Sequence, residues 1–261
     1  MLQNSNTMLQ INNLTKIYGK SEIKAVDSLN LEVKKGEIFG FIGPNGAGKS
    51  TTIKCVTGIL GFEKGEININ GFDLKKDNIS AKRSIGYVSD SHIIYEKLTG
   101  LEYVTFMASV YGMTDNALVK QRLEKYLEVF NLKDAINNSI KSYSHGMKQK
   151  INVIGAIIHN PALLILDEPL TGLDPQSAYE LKEIMREHCS EGNTVFFSSH
   201  VLDVVEKVCS RVGIIDKGQL IAVGTVDELK NRKDDSSLES FFLSITSRQA
   251  DVEIVSQGLA K

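Results

Sequence analysis

The sequence predicts a layered α/β fold with a largely parallel sheet, into which a helical segment is inserted. Strand patterns alternate with helical patterns up to residue 90 and again from residue 156, whereas residues 91–155 carry helical patterns only. After Gly224, two short helical patterns and a polar tail follow. We therefore expect a single domain over residues 1–246. Its expected parts are the α/β core (1–90 and 156–224), the helical segment (91–155) and a C-terminal helical extension (225–246), followed by a tail (247–261).

Short apolar runs predict the strands of the core. Alternating apolar residues indicate strands near Leu9–Ile17 and Ile23–Val33. Ile38–Ile42 is apolar apart from one glycine and indicates a buried strand, from which a glycine-rich loop leads into a helix over about Lys49–Gly58. Three further apolar runs complete the expected sheet: Ala162–Leu166, Thr194–Phe197 and Arg211–Ile215.

The helical segment carries its own start signals. Thr99 followed by Glu102 forms a capping box, and Thr114 or Asp115 can cap the next helix. Apolar residues then recur at helical spacing and predict one buried face, formed by Val119, Leu123, Tyr126, Leu127 and Phe130. The C-terminal extension carries a smaller apolar face that we expect to dock on the protein, formed by Leu238, Phe241, Phe242 and Ile245.

Composition excludes several classes of protein. The 261-residue chain is 42% hydrophobic and 24% charged, and its formal net charge of -2 lacks the basic excess of a nucleic-acid-binding surface, so no nucleic-acid partner is expected. Its three cysteines are too few and scattered for a disulfide framework and are expected as reduced thiols. No apolar run reaches the ~18 residues of a membrane span, and the N-terminus lacks a signal-peptide pattern. The chain is therefore not expected to cross a membrane.

A glycine-rich segment between the buried strand and the following helix fits the phosphate-binding pattern G-x4-GK[ST]. Glycines let the loop curl so that backbone N–H groups point at phosphate oxygens, and the helix N-terminus adds partial positive charge. Lys49 is expected to neutralise the β- and γ-phosphates, and the Ser50 hydroxyl to hold Mg²⁺. A chance match is rare once the flanking strand and helix are required. The predicted triphosphate site comprises Gly43, Pro44, Asn45, Gly46, Ala47, Gly48, Lys49, Ser50 and the adjacent Thr51.

The apolar run 162–166 ends in two adjacent carboxylates, Asp167 and Glu168. Buried carboxylates are costly unless compensating charge lies nearby, so this strand end is expected beside the phosphate loop. Asp167 is expected to reach Mg²⁺, directly or through water, and Glu168 to act as general base for an attacking water. The alternative is an ordinary solvated strand end.

Two further polar residues each have a structural and a functional interpretation. Asp174 precedes Pro175 and fits the N-cap of a helix, which would explain it without a role in binding. His200 follows the strand expected at 194–197, and an isolated histidine is more often structural than catalytic.

Taken in this order, the motifs resemble the ABC ATPase family over about residues 8–246. The discriminating segment, Ser142–Gln149, lies just over twenty residues before Asp167 and is similar to the family's LSGGQ-type signature, with Ser144 and Gly146 retained. Three family residues are replaced, by Tyr143, His145 and Met147. Ser144 can cap a helix whose N-terminus is presented to an anion, although a plain capped helix would explain this segment alone equally well.

The resemblance implies a P-loop NTPase (RecA-like) core with an N-terminal antiparallel β subdomain and an inserted α-helical signature subdomain. It implies Mg²⁺-dependent hydrolysis of ATP by a head-to-tail dimer, either a homodimer or a heterodimer with another ABC ATPase subunit. Each ATP would be held by the phosphate loop of one subunit and by Ser144, His145 and Gly146 of the other.

The resemblance also assigns single residues. Tyr18 would stack on adenine, although its position as a strand-end aromatic explains it nearly as well. His200 would contact the γ-phosphate, and Asp174 would cross the dimer interface. At Asp90 the family usually has Gln, sometimes Glu. Because Asp is shorter, direct contact with the metal is in doubt and a bridging water is favoured.

The family's partners are transmembrane permease subunits, which would be contacted around residues 89–99. The variant signature, the single nucleotide-binding unit and residues 237–245 are most similar to the ATPase subunits of bacterial ABC-2-type exporters, including drug- and bacitracin-resistance types. Such a subunit would be cytoplasmic and peripheral on the inner face of the cell membrane.

Two rival interpretations remain open at this point. A non-transport ABC ATPase acting on ribosomes or DNA would usually carry two nucleotide-binding units or long coiled coils, neither of which is present. A P-loop kinase or GTPase would leave the segment around Ser144, and His200, without a purpose.

Overall fold

The computed structural model describes residues 6–19, 23–91, 94–231 and 237–246. Its strands are β1 (Thr7–Ile17), β2 (Lys24–Lys34), β3 (Ile38–Ile42), β4 (Lys64–Ile69), β5 (Phe72–Asp73), β6 (Ile85–Val88), β7 (Leu163–Asp167), β8 (Thr194–Ser199), β9 (Arg211–Asp216) and β10 (Gln219–Thr225). Its helices are α1 (Lys49–Val56), α2 (Asn78–Arg83), α3 (Gly100–Val110), α4 (Asn116–Val129), α5 (His145–Ile157), α6 (Pro175–Ser190), α7 (Leu202–Val208), α8 (Val226–Asn231) and α9 (238–246).

The strands form two sheets. A four-stranded antiparallel sheet has the order β2-β1-β4-β5, and a six-stranded sheet has the order β10-β9-β3-β8-β7-β6. In the larger sheet β9, β3, β8, β7 and β6 run parallel, while β10 pairs antiparallel with β9 at the edge. The predicted fold class is confirmed, with an α/β core, an N-terminal antiparallel β sheet and an inserted helical segment.

The central strands are buried on both faces. In β3, Phe39 and Phe41 point into a core shared with the antiparallel sheet, whereas Ile38 and Ile42 point into the core that includes the helical segment. The Phe39 ring stacks on Phe196 of β8 with centroids 5.8 Å apart. This two-sided burial explains the continuous apolar runs, which are typical of parallel strands covered on both sides. It also fixes the strand ends that carry the polar residues.

The helical segment begins and packs as predicted. Thr99 accepts a hydrogen bond from the Glu102 amide while the Glu102 carboxylate accepts one from the Thr99 amide, and Asp115 caps α4. Four residues of the predicted α4 face are buried: Leu123, Tyr126, Leu127 and Phe130. Among the described residues of this segment, one isolated β-bridge joins Thr99 to Ser139. The residue limits of the domain parts stay predictions.

The C-terminal extension docks on the core, as expected. Leu238 and Phe241 of α9 are buried in the same cluster as Val205 of α7. The Glu206 carboxylate accepts hydrogen bonds from Lys230 Nζ and from the Leu238 amide, and so ties α7 to both C-terminal helices. The predicted tail, 247–261, lies outside the described residues. Among the helices that are described, none is long and apolar enough to span a membrane.

Four strands were not predicted: β4, β5, β6 and β10. β4 and β5 are short members of the antiparallel sheet, and β10 is an edge strand that is only partly buried, so their apolar patterns are weak. β6 is four residues long and contains a glycine that packs tightly, since a Cβ at Gly86 would lie 2.1 Å from the Ala156 carbonyl oxygen.

Two histidines, the buried His188 and the half-buried His159, lie at the N-terminal side of the parallel strands. His159 Nε2 donates to the Ile85 carbonyl at 3.1 Å, and its ring stacks on Tyr111 with centroids 3.5 Å apart. Burial lowers the pKa of His159 to about 4, and burial likewise lowers the pKa of His188 to about 4. Both side chains are therefore neutral in the folded protein at pH 7.

These histidines should make the fold sensitive to mild acid. Because their folded pKa is depressed below the ordinary value near 6.5, the unfolded chain binds protons more readily as the pH falls below about 6.5. Stability should then drop by about 2 kcal/mol for each histidine between pH 7.5 and 5. Urea unfolding at the two pH values measures this change. A His188→Gln variant should keep only the part of the slope due to His159, and an unchanged slope would contradict the assignment.

Candidate nucleotide-binding site

The phosphate loop leaves β3 and opens α1, as the motif predicted. Gly46 and Gly48 have φ values of 80° and 105°, which residues other than glycine rarely adopt. A Cβ at Gly48 would also lie 2.5 Å from the Ala25 carbonyl oxygen, and one at Gly43 would lie 2.2 Å from the Ile215 carbonyl oxygen. The glycines are therefore required sterically. No side chain caps α1, so its N-terminal N–H groups can face an anion.

Lys49 brings a buried positive charge into the loop. Its side chain is 7% exposed, and Nζ donates to the carbonyl oxygens of Gly43 at 2.7 Å and Pro44 at 3.2 Å. Nζ lies 3.8 Å from Glu168 Oε1. Burial lowers the pKa of Lys49, while the negative charges of Glu168 and Asp167 act in the opposite direction. The carboxylates thus favour a charged ammonium group beside the loop.

Asp167 lies fully buried at the end of β7. Its Oδ1 accepts a hydrogen bond from Ser198 Oγ at 2.6 Å, whereas Oδ2 has no hydrogen-bond partner among the described residues. Burial raises the pKa of Asp167, the Ser198 and Ser50 hydroxyls oppose that rise, and the charges of Asp90 and Glu168 add to it. A buried carboxylate oxygen without a partner, close to a hydroxyl, fits an oxygen-liganded cation such as Mg²⁺.

Glu168 has an unusual backbone at the start of the following turn. Its φ of 50° is in the left-handed region, and its amide donates to Ser198 Oγ at 3.0 Å. The Glu168 carboxylate lies 2.8 Å from His200 Nδ1 through Oε2 and faces Lys49 through Oε1. The structure thus brings together the predicted base, the predicted histidine and the lysine of the loop.

A cleft of about 270 Å³ unites most of the predicted residues. Its lining within the described chain consists of Ala25, Pro44, Asn45, Gly46, Ala47, Gly48, Lys49, Ser50, Thr51, Asp90 and Glu168. Tyr18 lies next to this cleft, with its hydroxyl 3.2 Å from Thr51 Oγ1 and its side chain 48% exposed. An exposed ring at this position can stack on a base whose phosphates lie in the loop. Asp90 lines the cleft as an exposed side chain.

The signature residues 144–146 are not part of this cleft in the described subunit. Ser144 caps α5 by accepting a hydrogen bond from the Met147 amide at 3.3 Å, and it is exposed. A Cβ built on Gly146 has no atom of the described residues within 4 Å, so their packing does not require a glycine there. One turn further on, Gln149 Nε2 donates to the Pro169 carbonyl at 3.0 Å. This bond anchors α5 beside the acidic edge, the end of β7 that carries Asp167 and Glu168.

Asp174 is the N-cap of α6, the structural role predicted from its position before Pro175. Its carboxylate accepts a hydrogen bond from the Ser177 amide at 3.0 Å and one from the Ser177 hydroxyl, which hold the pKa of Asp174 below its usual range. The side chain caps α6 and is exposed. A role across an interface stays a prediction.

Two residues of the site were not predicted. Ser198 lies opposite Asp167 in the parallel register of β7 and β8, just after the run expected to end at Phe197. Gln149 is buried within the signature helix. A polar residue at the carboxyl end of a buried strand is the signal that would have identified Ser198, because neighbouring parallel strands end at the same edge of the sheet.

Removal of the lysine charge should weaken nucleotide binding. We expect Lys49→Ala to lower the affinity for ATP about tenfold or more, since a charged hydrogen-bonding partner of the phosphates is lost. Equilibrium titration with a fluorescent ATP analogue measures the effect. Lys54→Ala, in the last turn of the same helix, is the matched control and should bind normally. Equal affinities for the wild type and Lys49→Ala would contradict the site.

Comparisons with known proteins agree with this geometry. The family described as ABC transporter matches residues 26–171. The linearmycin resistance ATP-binding protein LnrL of Bacillus subtilis is 41% identical over 86% of this chain and 71% of its own length. The bacitracin transport ATP-binding protein BcrA of Bacillus licheniformis is 37% identical over 87% of this chain and 72% of its own length.

A solved structure of an ATP-binding subunit of an ABC transporter superposes with a TM-score of 0.87 at 32% identity, over 92% of this chain and all of that one. Both the sequence relatives and this structural neighbour extend across the phosphate loop and the acidic edge. The chain therefore belongs to the ABC transporter family, as an ATP-binding subunit that hydrolyses ATP.

Proposed function

We propose that this ATPase works as a head-to-tail dimer, either with a second copy or with another ABC ATPase subunit, and drives a separate transmembrane permease that exports its substrate. Two ATP molecules lie in the dimer interface. Each is bound by the phosphate loop of one subunit and by residues 144–146 of the other.

The observation that carries this proposal is the division of the site. The loop and Glu168 line one cleft and His200 bonds to Glu168, while Ser144 and Gly146 lie outside that cleft at the N-terminus of α5, Ser144 exposed and Gly146 half-buried. A glycine at the second position of a helix lowers helix stability, and no neighbouring atom of the described residues accounts for it. Close approach of a second molecule does account for it. In a two-fold dimer, the phosphate-loop cleft of each subunit would face residues 144–146 of the other, so that two complete sites form.

In the proposed reaction, different residues of the cleft bind the phosphates, accept the proton and hold the metal. Lys49 and the loop N–H groups bind the β- and γ-phosphates, and Glu168 accepts the proton of the attacking water. His200, hydrogen-bonded to Glu168, holds that carboxylate in place and faces the γ-phosphate. Ser50 and Asp167 would hold Mg²⁺, with Asp90 placed to reach it through a water. The metal would neutralise charge on the phosphates.

An apolar depression lined by residues 95–98 and Phe106, within and beside the segment 89–99, supports a permease contact. Tyr95 and Phe106 are 62% and 44% exposed, and their rings make an edge-on contact with centroids 5.7 Å apart. With Leu98 they line an apolar depression of about 460 Å³. Exposed apolar depressions of this size mark binding sites for other proteins. We assign this depression to the permease, and a subunit bound in this way would lie at the cytoplasmic face of the membrane.

The relatives' names favour export. LnrL is named for resistance to linearmycin and BcrA for transport of bacitracin, and both names describe those proteins alone. Similarity to both favours an exporter of the same general kind for this chain.

Removal of the general base, Glu168, should trap the ATP-bound dimer. Glu168→Gln keeps the side-chain size but cannot accept the proton, so we expect hydrolysis to fall about 100-fold or more with ATP binding retained. Size-exclusion chromatography should then show a dimer with Mg-ATP and a monomer with EDTA. A variant that stays monomeric at saturating Mg-ATP would contradict the two-subunit site.

The signature can be tested by a change that favours folding of the subunit. Gly146→Asp replaces a helical glycine and puts a negative charge in the first turn of α5, so the unfolding free energy should rise by about 1 kcal/mol. In the dimer that carboxylate would face the partner's phosphates, so ATPase activity should be lost. Gly61→Asp, at an exposed glycine whose added Cβ would also meet open space, is the control and should stay active. An active Gly146→Asp variant would remove the signature from the mechanism.

A further inference from the structure

We propose that Ser198 is a positioning residue for ATP hydrolysis, whose single hydroxyl group fixes both the carboxylate of Asp167 and the backbone of Glu168. The inference rests on the roles proposed above for those two acids. It concerns a residue outside the phosphate loop, the acidic pair and the signature.

Ser198 occupies a position where a hydroxyl needs a specific partner. It is fully buried in β8, which lies between β3 and β7 in the sheet. Parallel pairing places it opposite Asp167 on one side and opposite Phe41 on the other. An unpaired hydroxyl in such a strand is unfavourable. Its contacts therefore decide whether it serves packing or the site.

One hydroxyl serves both acids, and the direction of each hydrogen bond is determined. The Glu168 amide can only donate, so Ser198 Oγ accepts from it at 3.0 Å. The hydroxyl has one proton, and this proton is donated to Asp167 Oδ1 at 2.6 Å. Rotation of the hydroxyl would break one of the two bonds. The arrangement consequently has a single orientation.

For Asp167, the bond selects which oxygen remains for a cation. Oδ1 accepts from Ser198, whereas Oδ2 is buried without a partner among the described residues, and the Ser50 hydroxyl interacts with the same carboxyl group. The Ser198 bond fixes the plane of the carboxylate. Ser198 therefore leaves one buried carboxylate oxygen, Oδ2, available to the cation of the proposed site.

For Glu168, the same hydroxyl supports a strained backbone. Left-handed φ values are unfavourable for residues with a side chain, and Glu168 has a φ of 50°. The bond from its amide to Ser198 helps to hold that conformation. It is this conformation that directs the carboxylate toward His200 at 2.8 Å and Lys49 at 3.8 Å.

The neighbouring hydroxyl does not share this role. Ser199 Oγ accepts from the Val201 amide at 3.0 Å, at the start of α7, and bonds to neither acid. Loss of the Ser198 hydroxyl therefore has no local substitute.

The test compares hydroxyl deletions at the two ends of β8. Ser198→Ala removes the bond to both acids. Thr194→Val removes an equally buried hydroxyl at the far end of the strand, where Thr194 Oγ1 accepts from the Gly36 amide at 3.0 Å. Steady-state ATPase kinetics are measured for both variants and for Ser198→Thr over a range of Mg²⁺ concentrations. Thermal unfolding confirms that each variant is folded.

We expect Ser198→Ala to lower kcat about 10–100-fold and to raise the Mg²⁺ concentration for half-maximal activity, as for other residues that orient a metal ligand. KM for ATP should change much less, because the phosphate loop is intact. Thr194→Val should keep kcat, and Ser198→Thr should recover most of it. The proposal is overturned if Ser198→Ala keeps kcat and its Mg²⁺ requirement, or if Thr194→Val or Ser198→Thr is as slow as Ser198→Ala.

A binding measurement without turnover gives an independent readout. In protein that also carries Glu168→Gln, Ser198→Ala should leave affinity for a fluorescent ATP analogue unchanged in EDTA. It should raise about tenfold the Mg²⁺ concentration at which the metal promotes binding. Equal Mg²⁺ curves with and without Ser198→Ala would overturn the inference.

If Lys49→Ala and Glu168→Gln themselves hydrolyse ATP normally, the proposed function fails, whereas normal activity of Ser198→Ala alone removes only this inference.

Discussion

The candidate site depends on the parallel pairing of β3, β8 and β7, which brings segments of opposite charge to one edge of the central sheet. The phosphate loop leaves β3, the acidic pair ends β7, and His200 follows β8. Lys49 and Asp167 are both buried, and each would be unfavourable there alone. At this edge the positive and negative groups compensate one another, with Nζ of Lys49 3.8 Å from Glu168. The charges are thus retained where a triphosphate and a metal can bind.

Two turns at the same edge contain left-handed backbone. Gly48 and Glu168 both have left-handed φ values, and a non-glycine residue in that region costs on the order of 1–2 kcal/mol. The strands that precede them are buried along their whole length. Because those strands cannot shift without loss of apolar packing, the turns are held in conformations that they would not adopt alone. The rigid strands therefore fix the positions of the turns that carry Gly48 and Glu168.

Much of this edge could be predicted because its signals are local. The strand, the glycines and the lysine of the phosphate loop are contiguous, and the apolar run before Asp167 ends at two acids. The caps at Thr99, Asp115 and Ser144 follow from residue types that accept hydrogen bonds from helix N-termini. Each of these predictions needed only neighbours in sequence.

Other features required the order of strands, which periodicity does not give. Ser198 acts on residues some thirty positions earlier in the chain, through the register of β7 and β8. β10 is a partly buried edge strand in a hairpin with β9, and its weak pattern gave no prediction. The role of Asp174 is undetermined by sequence for a different reason. One carboxylate serves as an N-cap whether or not it also meets a second subunit, so the cap explains the residue equally well in both cases.

Within one subunit, the signature helix and the acidic edge are mechanically connected. Gln149 of α5 bonds to the carbonyl of Pro169, the residue after Glu168, and a Cβ on Gly172 would lie 2.9 Å from the His145 ring. Tightly packed contacts of this kind transmit displacement, since neighbouring groups cannot move independently. In the proposed dimer, a partner's nucleotide at the N-terminus of α5 would therefore act on a helix already attached to the subunit's own acidic edge. This connection would join the two ATP sites in both directions, because each subunit would contribute α5 to one site and Glu168 to the other.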